Sequence, residues 1–285
     1  MLKKSMKVRV TLAVIIALIF IFFVCKNDEN NLLKKNNISF RYSQFVAHNN
    51  SEEEIDSIKV ITIHFFEQKP SGGQDYPDYN FYSQDELASK LVILESIAIP
   101  VQLLLNNYYV DENIGVLLRK IPKVQSLFFG ECNISSQILK DFHFPKQSRL
   151  SLFDCTIDGK WEFFFENTNN IEVVDFMKMN LTNEEWSSFF SNASKVKKLQ
   201  LTMCGFDNNS LEQIKNMSNL NHLDIKRSSL SVYNVKAISS LPKLERLELV
   251  DCNLIERNVI FELLKNEMDI ETIRIIESGV VVQEF

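Results

Sequence analysis

The chain has 285 residues, 45% of them hydrophobic, and a formal net charge of −6. That is ample apolar material for one or two domains, and the acidic balance excludes the basic face of a nucleic-acid binder. With 7 Gly against 22 Phe, the chain also lacks a glycine-rich phosphate cradle.

At the N-terminus, Lys3, Lys4, Lys7 and Arg9 precede an apolar run from Val10 to Cys25. Such a segment is a signal peptide or a signal anchor and stands outside the fold argument. The run is slightly shorter than the roughly 20 apolar residues of a comfortable span, and bulky Phe22, Phe23 and Val24 occupy the place of a small-x-small cleavage site. An uncleaved anchor through residues 8–25, a cleaved signal and a buried N-terminal helix all remain open, although four flanking cations fit the last poorly. The cation bias would leave the N-terminus cytoplasmic and carry the rest of the chain across, as a single-pass membrane protein, or as a secreted one if cleaved. Asn-x-Ser/Thr sites at Asn37, Asn49, Asn133, Asn180, Asn192, Asn208 and Asn216 add modest support for the secretory route. Residues 1–26 are therefore assigned to the anchor or signal. Residues 27–57 read as a polar linker, with a short ordered piece at 38–46 and a solvated charge run at Glu52, Glu53 and Glu54.

The β-branched run Ile58–Phe66 predicts a strand. Pro70, Gly72, Gly73 and Pro77 mark 67–82 as an inserted loop, which carries Tyr76, Tyr79, Phe81 and Tyr82. Ser83 and Glu86 form a capping box that opens a helix with Leu87, Leu91 and Leu94 on one face. Residues 58–97 thus read as an N-terminal capping strand, loop and helix.

From about residue 98 one pattern returns to the C-terminus, best seen in Val196, Leu199, Leu201, Cys204 and Phe206. Its central apolar residue recurs at Leu103, Leu127, Leu150, Val174, Leu199, Leu223, Leu247 and Ile273, in steps of 23 to 26 residues. A fixed period of this length marks a repeat architecture. Each apolar-x-apolar pair puts two side chains on one face of a short strand. One unit cannot bury that face alone, so the units must stack. Between strands, Thr182 and Glu185 cap a helix through Trp186, Phe189 and Phe190, and 210–217 and 231–239 supply two more. Trp161 and Trp186 lie one repeat apart and belong to the core.

Over residues 98–285 the chain resembles the leucine-rich repeat family. The resemblance implies an α/β solenoid, or horseshoe, of about eight repeats, with a concave parallel sheet and convex helices, preceded here by the N-terminal apolar helix. Cys132, Cys155, Cys204 and Cys252 fall at one repeat position, where the family has an Asn or Cys that satisfies backbone groups. This points to the cysteine-containing, ribonuclease-inhibitor-like kind. Packed thiols account for all four, although Cys132 and Cys155 on adjacent rungs leave a disulfide open.

Chemistry finds little else. No Cys-x-x-Cys pair supports a metal, His48, His64, His143 and His222 are scattered, and no nucleophile, P-loop or kinase signature occurs. No catalytic residue, metal or cofactor is assigned. Function is expected on the concave face. Its exposed strand positions include Leu104, Phe128, Phe153, Val173 and Met177 in the N-terminal half, and Lys198, Gln200, His222, Asp224, Lys226, Arg246, Glu248 and Arg274 in the C-terminal half. The charged half reads equally as a self-neutralising ladder, whereas large apolar side chains on an open sheet call for a partner. The inserted loop is a second contact surface. An apolar C-terminal edge around Val280, Val281 and Val282, with no evident polar cap, is a third and offers self-association. The expectation is a non-enzymatic binder of a protein partner. Its alternatives are an intracellular ubiquitin-ligase-type adaptor, for which residues 27–57 are too short and polar to hold an F-box-like segment, and a self-assembling surface protein.

Overall fold

The structure, a computed structural model, describes residues 31–36, 38–46, 57–68 and 79–284, apart from 146, 147, 169, 208 and 269. The apolar segment at 8–25 and Tyr76 lie outside these residues, as do Asn37, Asn49 and Asn208. No helix among the described residues is long and apolar enough to cross a membrane. The chain divides into two compact units, residues 1–40 and 41–285. In the first, a helical turn at 31–35 ends where Ile38 N–H donates to the Leu33 carbonyl at 3.0 Å, and both side chains are buried.

The second unit is built on one long sheet. Strands β1 (Ser39–Val46) and β2 (Ser57–His64) are followed by the short hairpin of β3 (Phe66–Gln68) and β4 (Tyr79–Phe81). The repeats then contribute β5 (Val101–Asn106), a flanking β6 (Tyr109–Val110), β7 (Val124–Gly130), a flanking β8 (Asn133–Ser135), β9 (Arg149–Phe153), a flanking β10 (Thr156–Asp158) and β11 (Val173–Met177). They continue through β12 (Lys198–Thr202), β13 (His222–Lys226), a flanking β14 (Ser229–Leu230), β15 (Arg246–Val250), a flanking β16 (Asn253–Leu254), β17 (Thr272–Glu277) and β18 (Val280–Glu284). The sheet order is β1-β2-β5-β7-β9-β11-β12-β13-β15-β17-β18. From β2 to β17 each strand pairs in parallel with the next.

The eight repeat strands sit in the predicted register, so Leu150, Val174, Leu199, Leu223, Leu247 and Ile273 are successive Cα partners. These markers and the residues two further on are at most 2% exposed, from Leu103 and Leu105 to Ile273 and Ile275. Each such side chain contributes about 1.5–3 kcal/mol on leaving water, and none could do so without the rung beside it. Strands stack about 4.8 Å apart, whereas packed helices need about 8–10 Å. The sheet therefore lies on the inside of the bend and the helices on the outside.

What ends each strand is a left-handed turn. Asn107, Glu131, Asp154, Lys178, Met203, Arg227 and Asp251 all have φ between 49 and 59°. None is glycine, and such backbone costs about 1–2 kcal/mol at each. The compensation is visible: each N–H donates to the strand-end carbonyl of the next rung at 2.7–2.9 Å, for example Glu131 to Phe153 and Arg227 to Val250. Directly after the turn come the cysteines. The thiols of Cys132, Cys155, Cys204 and Cys252 donate to carbonyls of the preceding rung (Leu105, Phe129, Phe176 and Ile225) at 3.2–3.6 Å. Burial pushes Cys132 and Cys204 up to about 11 and Cys155 up to about 12, so these thiols are poor nucleophiles. All four are free, and the Cys132–Cys155 disulfide is not formed.

The aromatic pair of helices is core, as expected. Trp161 stacks on Phe165 at 5.4 Å and Trp186 on Phe190 at 5.7 Å. Phe176 joins the two rungs, lying 6.1 Å from Phe165 and 5.6 Å from Trp186. The Ser83 and Thr182 capping boxes are both formed. Three details refine the expectations. The helical stretch at 210–217 is a 3-10 helix, Glu212–Asn216. The inserted loop is framed by the β3–β4 hairpin. The C-terminal stretch forms the antiparallel strand β18, with a register shift against β17 between Ile275 and Ile276.

Trp186 is fully buried and its Nε1 donates to the Gly205 carbonyl at 3.2 Å, whereas Phe163 on the neighbouring short helix (Trp161–Phe165) is 45% exposed. Trp186→Ala should lower stability by about 3–5 kcal/mol, and Phe163→Ala should stay within about 0.5 kcal/mol. Urea denaturation of both variants checks this.

Candidate functional site

The open face of the sheet carries three rows of side chains, set by the two-residue alternation of each strand. The residue before each marker, the residue after it and the residue three after it are mostly half-buried. The register aligns Lys198, His222 and Arg246 in the first row and Gln200, Asp224 and Glu248 in the second.

In the C-terminal half these charges meet one another. Asp224 Oδ1 accepts from His222 Nε2 at 2.8 Å, and its Oδ2 lies 3.5 Å from Lys198 Nζ and 4.0 Å from Lys226 Nζ. The expectation of an exposed Asp224 is corrected: it is 3% exposed, because the three cationic or imidazole side chains close over it. Burial alone would raise its carboxyl, but the His222 hydrogen bond and the charges of His222, Lys198 and Lys226 together hold it below the usual carboxylate range. Arg246 pairs with Glu248, which Arg274 approaches at 3.9 Å, and Arg274 Nε also donates to Glu284 at 2.8 Å. One further pair extends the network toward the middle of the sheet. Arg149 Nε lies 3.0 Å from Asp175 Oδ2, which also accepts from Ser151 Oγ at 2.8 Å. His222, Asp224 and Glu248 place one ligand atom each within 4.8 Å of the others. Lys198, Lys226, Arg246 and Arg274 already neutralise the two carboxylates, so a metal ion would have to displace the protein's own cations.

The N-terminal half is different. Leu104, Phe128, Phe153 and Met177 are all half-buried, as is Val173. The first two lie in the second row and the next two in the third, so the apolar track runs diagonally across four rungs. Gly130 makes this route available. A Cβ there would collide with Asn106 Oδ1 and come within 2.8 Å of Phe128 Cε1. On the next rung the Lys178 ammonium lies 5.0 Å from the Phe153 ring centroid, a cation–π contact.

The inserted loop contributes less than the sequence implies. Tyr79 and Phe81 lie in β4, and Tyr82 is only 8% exposed, beneath Lys90 at 4.2 Å. Its backbone N–H donates to Tyr108 Oη at 3.0 Å, and the Tyr108 hydroxyl donates to the Phe65 carbonyl at 2.5 Å. Tyr108 thus ties both feet of the insert to the first rung from the position that four later rungs give to Cys. Burial pushes its phenol up to about 12. Tyr82 is a structural residue, and its placement among contact residues is corrected.

Sequence reasoning passed over Arg149, Asp175 and the left-handed turn residues, Lys178 among them. The signal was present, since the turn residues follow the marker by four at every rung from Leu103 to Leu247.

The pattern described as Leucine rich repeat matches residues 194–254, and no curated protein matches the chain. The long, largely parallel sheet alternating with helices accords with a leucine-rich-repeat solenoid.

Asp224→Asn should destabilise the fold by about 3 kcal/mol near neutral pH, the low end of the cost of unpairing a buried charge. Because the folded carboxyl sits below its unfolded value of roughly 3.9, that stability is fully present above the unfolded value and is lost as pH falls through the folded one. Denaturant titrations of both proteins between neutral and acid pH should show the difference shrinking only below about pH 4.

Proposed function

We propose that this chain is a non-enzymatic leucine-rich-repeat protein of the cysteine-bearing kind, delivered to the secretory pathway, that holds a protein partner on the N-terminal half of its concave sheet. The observation that carries the reading is the contrast between the two halves. Charges at the C-terminal end are matched with one another, whereas Leu104, Phe128, Phe153 and Met177 present large, half-buried apolar side chains on the sheet face opposite the buried markers. Aromatics and Met are the types enriched in the buried centre of protein interfaces. Delivery rests on the basic-then-apolar segment at residues 3–25. The chain is then anchored through residues 8–25 with its N-terminus cytoplasmic, or is released. Among the described residues no side-chain cluster has the geometry of a catalytic site, and the basic-then-apolar segment at residues 3–25 favours secretory delivery over the intracellular adaptor reading.

A second reading, self-assembly, has one observation in its favour. Val280, Val281 and Val282 of the edge strand β18 are 64%, 48% and 44% exposed, and an unpaired β-branched edge is a template for another chain. If it operates, sedimentation velocity of residues 27–285 will show a dimer that Val281→Lys reduces to monomer. A monomer before the substitution removes this reading.

The binding face is tested by Phe128→Asp with Phe153→Asp. Partner capture by the full chain should fall to background while circular dichroism and the melting temperature stay near wild type. Undiminished capture would contradict the assignment. Delivery is tested separately, by protease protection of the full chain carrying a C-terminal tag. The tag should be protected, or recovered in the medium, and a tag freely digested in the cytosol would return the adaptor reading to the front.

A further inference from the structure

The partner's chemistry can be carried one step further, resting on the concave-face reading above. Beside the apolar track, the left-handed turn positions of two adjacent rungs carry Glu131 and Asp154. Both are exposed, and among the described residues no ion pair involves either carboxylate. Their counterparts further along are matched: Arg227 and Asp251, at the same position on adjacent rungs, lie 4.0 Å apart. Lys178, the next turn residue after Asp154, is turned onto the Phe153 ring at 5.0 Å. That contact also shows that side chains at this turn position reach the concave track. On the second and third rows of the C-terminal half, Asp224, Lys226, Glu248 and Arg274 each have an opposite charge within 4.0 Å. The Glu131 and Asp154 carboxylates therefore stand unmatched along the rim of the apolar rungs, and the one cation beside them, Lys178, is held against the Phe153 ring.

We infer that the concave site takes a protein segment in which bulky apolar side chains are flanked by Lys or Arg. The apolar side chains seat against Phe128, Phe153 and Met177, and the cations meet Glu131 and Asp154 at the rim. An acidic or polar segment with the same apolar residues would leave both carboxylates unmatched or repelled, so the rim supplies sign selectivity and the rungs supply burial.

The test uses the full chain and three fluorescein-labelled peptides, each with two Phe on a Gly/Ser scaffold, flanked by Lys, by Ser or by Glu. Fluorescence anisotropy should give the Lys peptide the lowest Kd, with about three- to tenfold preference over the Ser peptide, the amount two rim charge pairs supply. The preference should shrink in high salt. Glu131→Gln with Asp154→Asn should abolish the preference, Glu212→Gln on the convex side should leave it intact, and Phe128→Ala with Phe153→Ala should weaken all three peptides. If the Phe variants weaken binding but the three peptides bind equally, the charge inference is overturned and the binding face stands. A Lys preference that survives the rim variant, or that is indifferent to the Phe variants, also overturns it, since the attraction is then general acidity. Failure of all three peptides to bind overturns the inference and counts against the face itself. Sedimentation of the same sample covers the remaining occupant: a dimer dissolved by the rim variant would put a second copy on this face and overturn the proposal.

Discussion

The structure depends on a single backbone device repeated from rung to rung. Each strand ends in a left-handed residue whose N–H reaches the strand-end carbonyl of the next unit, at 2.7–2.9 Å over seven rungs. That hydrogen bond holds successive units in register where the chain leaves the sheet, and it brings the residue that follows, most often Cys, against the core. With the register fixed, the apolar pairs of adjacent rungs superimpose and bury one another. The strain of the left-handed backbone at residues such as Lys178 and Met203 is borne because the neighbouring rung supplies the acceptor. A rung taken alone would have the strain without the bond.

The same register decides the character of the open face. Residues that share a row sit one strand apart, so a charge on one rung is within reach of the next. Asp224 is surrounded by Lys198, His222 and Lys226, and Glu248 by Arg246 and Arg274. These pairs hold the C-terminal half in a matched state, in which a partner would have to break existing contacts before making new ones. At the other end the rows hold Leu104, Phe128, Phe153 and Met177, with Gly130 making room beside Phe128. On the proposed reading, a partner covering that face would remove apolar surface from water and leave the Asp224 and Glu248 networks intact.

Much of this was legible in the sequence. The spacing of Leu103, Leu127, Leu150 and their successors gave the strands, their order and their buried positions, because stacking and side-chain alternation leave little freedom once the period is known. Capping residues such as Ser83 and Thr182 marked helix starts correctly, since a cap is a local hydrogen-bond requirement. Burial of Asp224 was hidden, because it arises from Lys198 on the neighbouring rung closing over it together with His222 and Lys226 of its own strand. So was the part played by Tyr108, whose hydroxyl bonds Phe65, 43 residues earlier in the chain. The 3-10 form of Glu212–Asn216 was also missed, although apolar spacing in a single turn does not separate it from an α-helix.

The most direct measurement is site-specific photo-crosslinking of the full chain in its native cell. A photoreactive residue is placed in turn at Leu104 and Met177 on the concave face, and at Tyr233, which is 67% exposed on the helix Val232–Ser239. The account requires one discrete adduct from both concave positions and none from Tyr233. Adducts from Tyr233 alone, or the same set from all three positions, would contradict it.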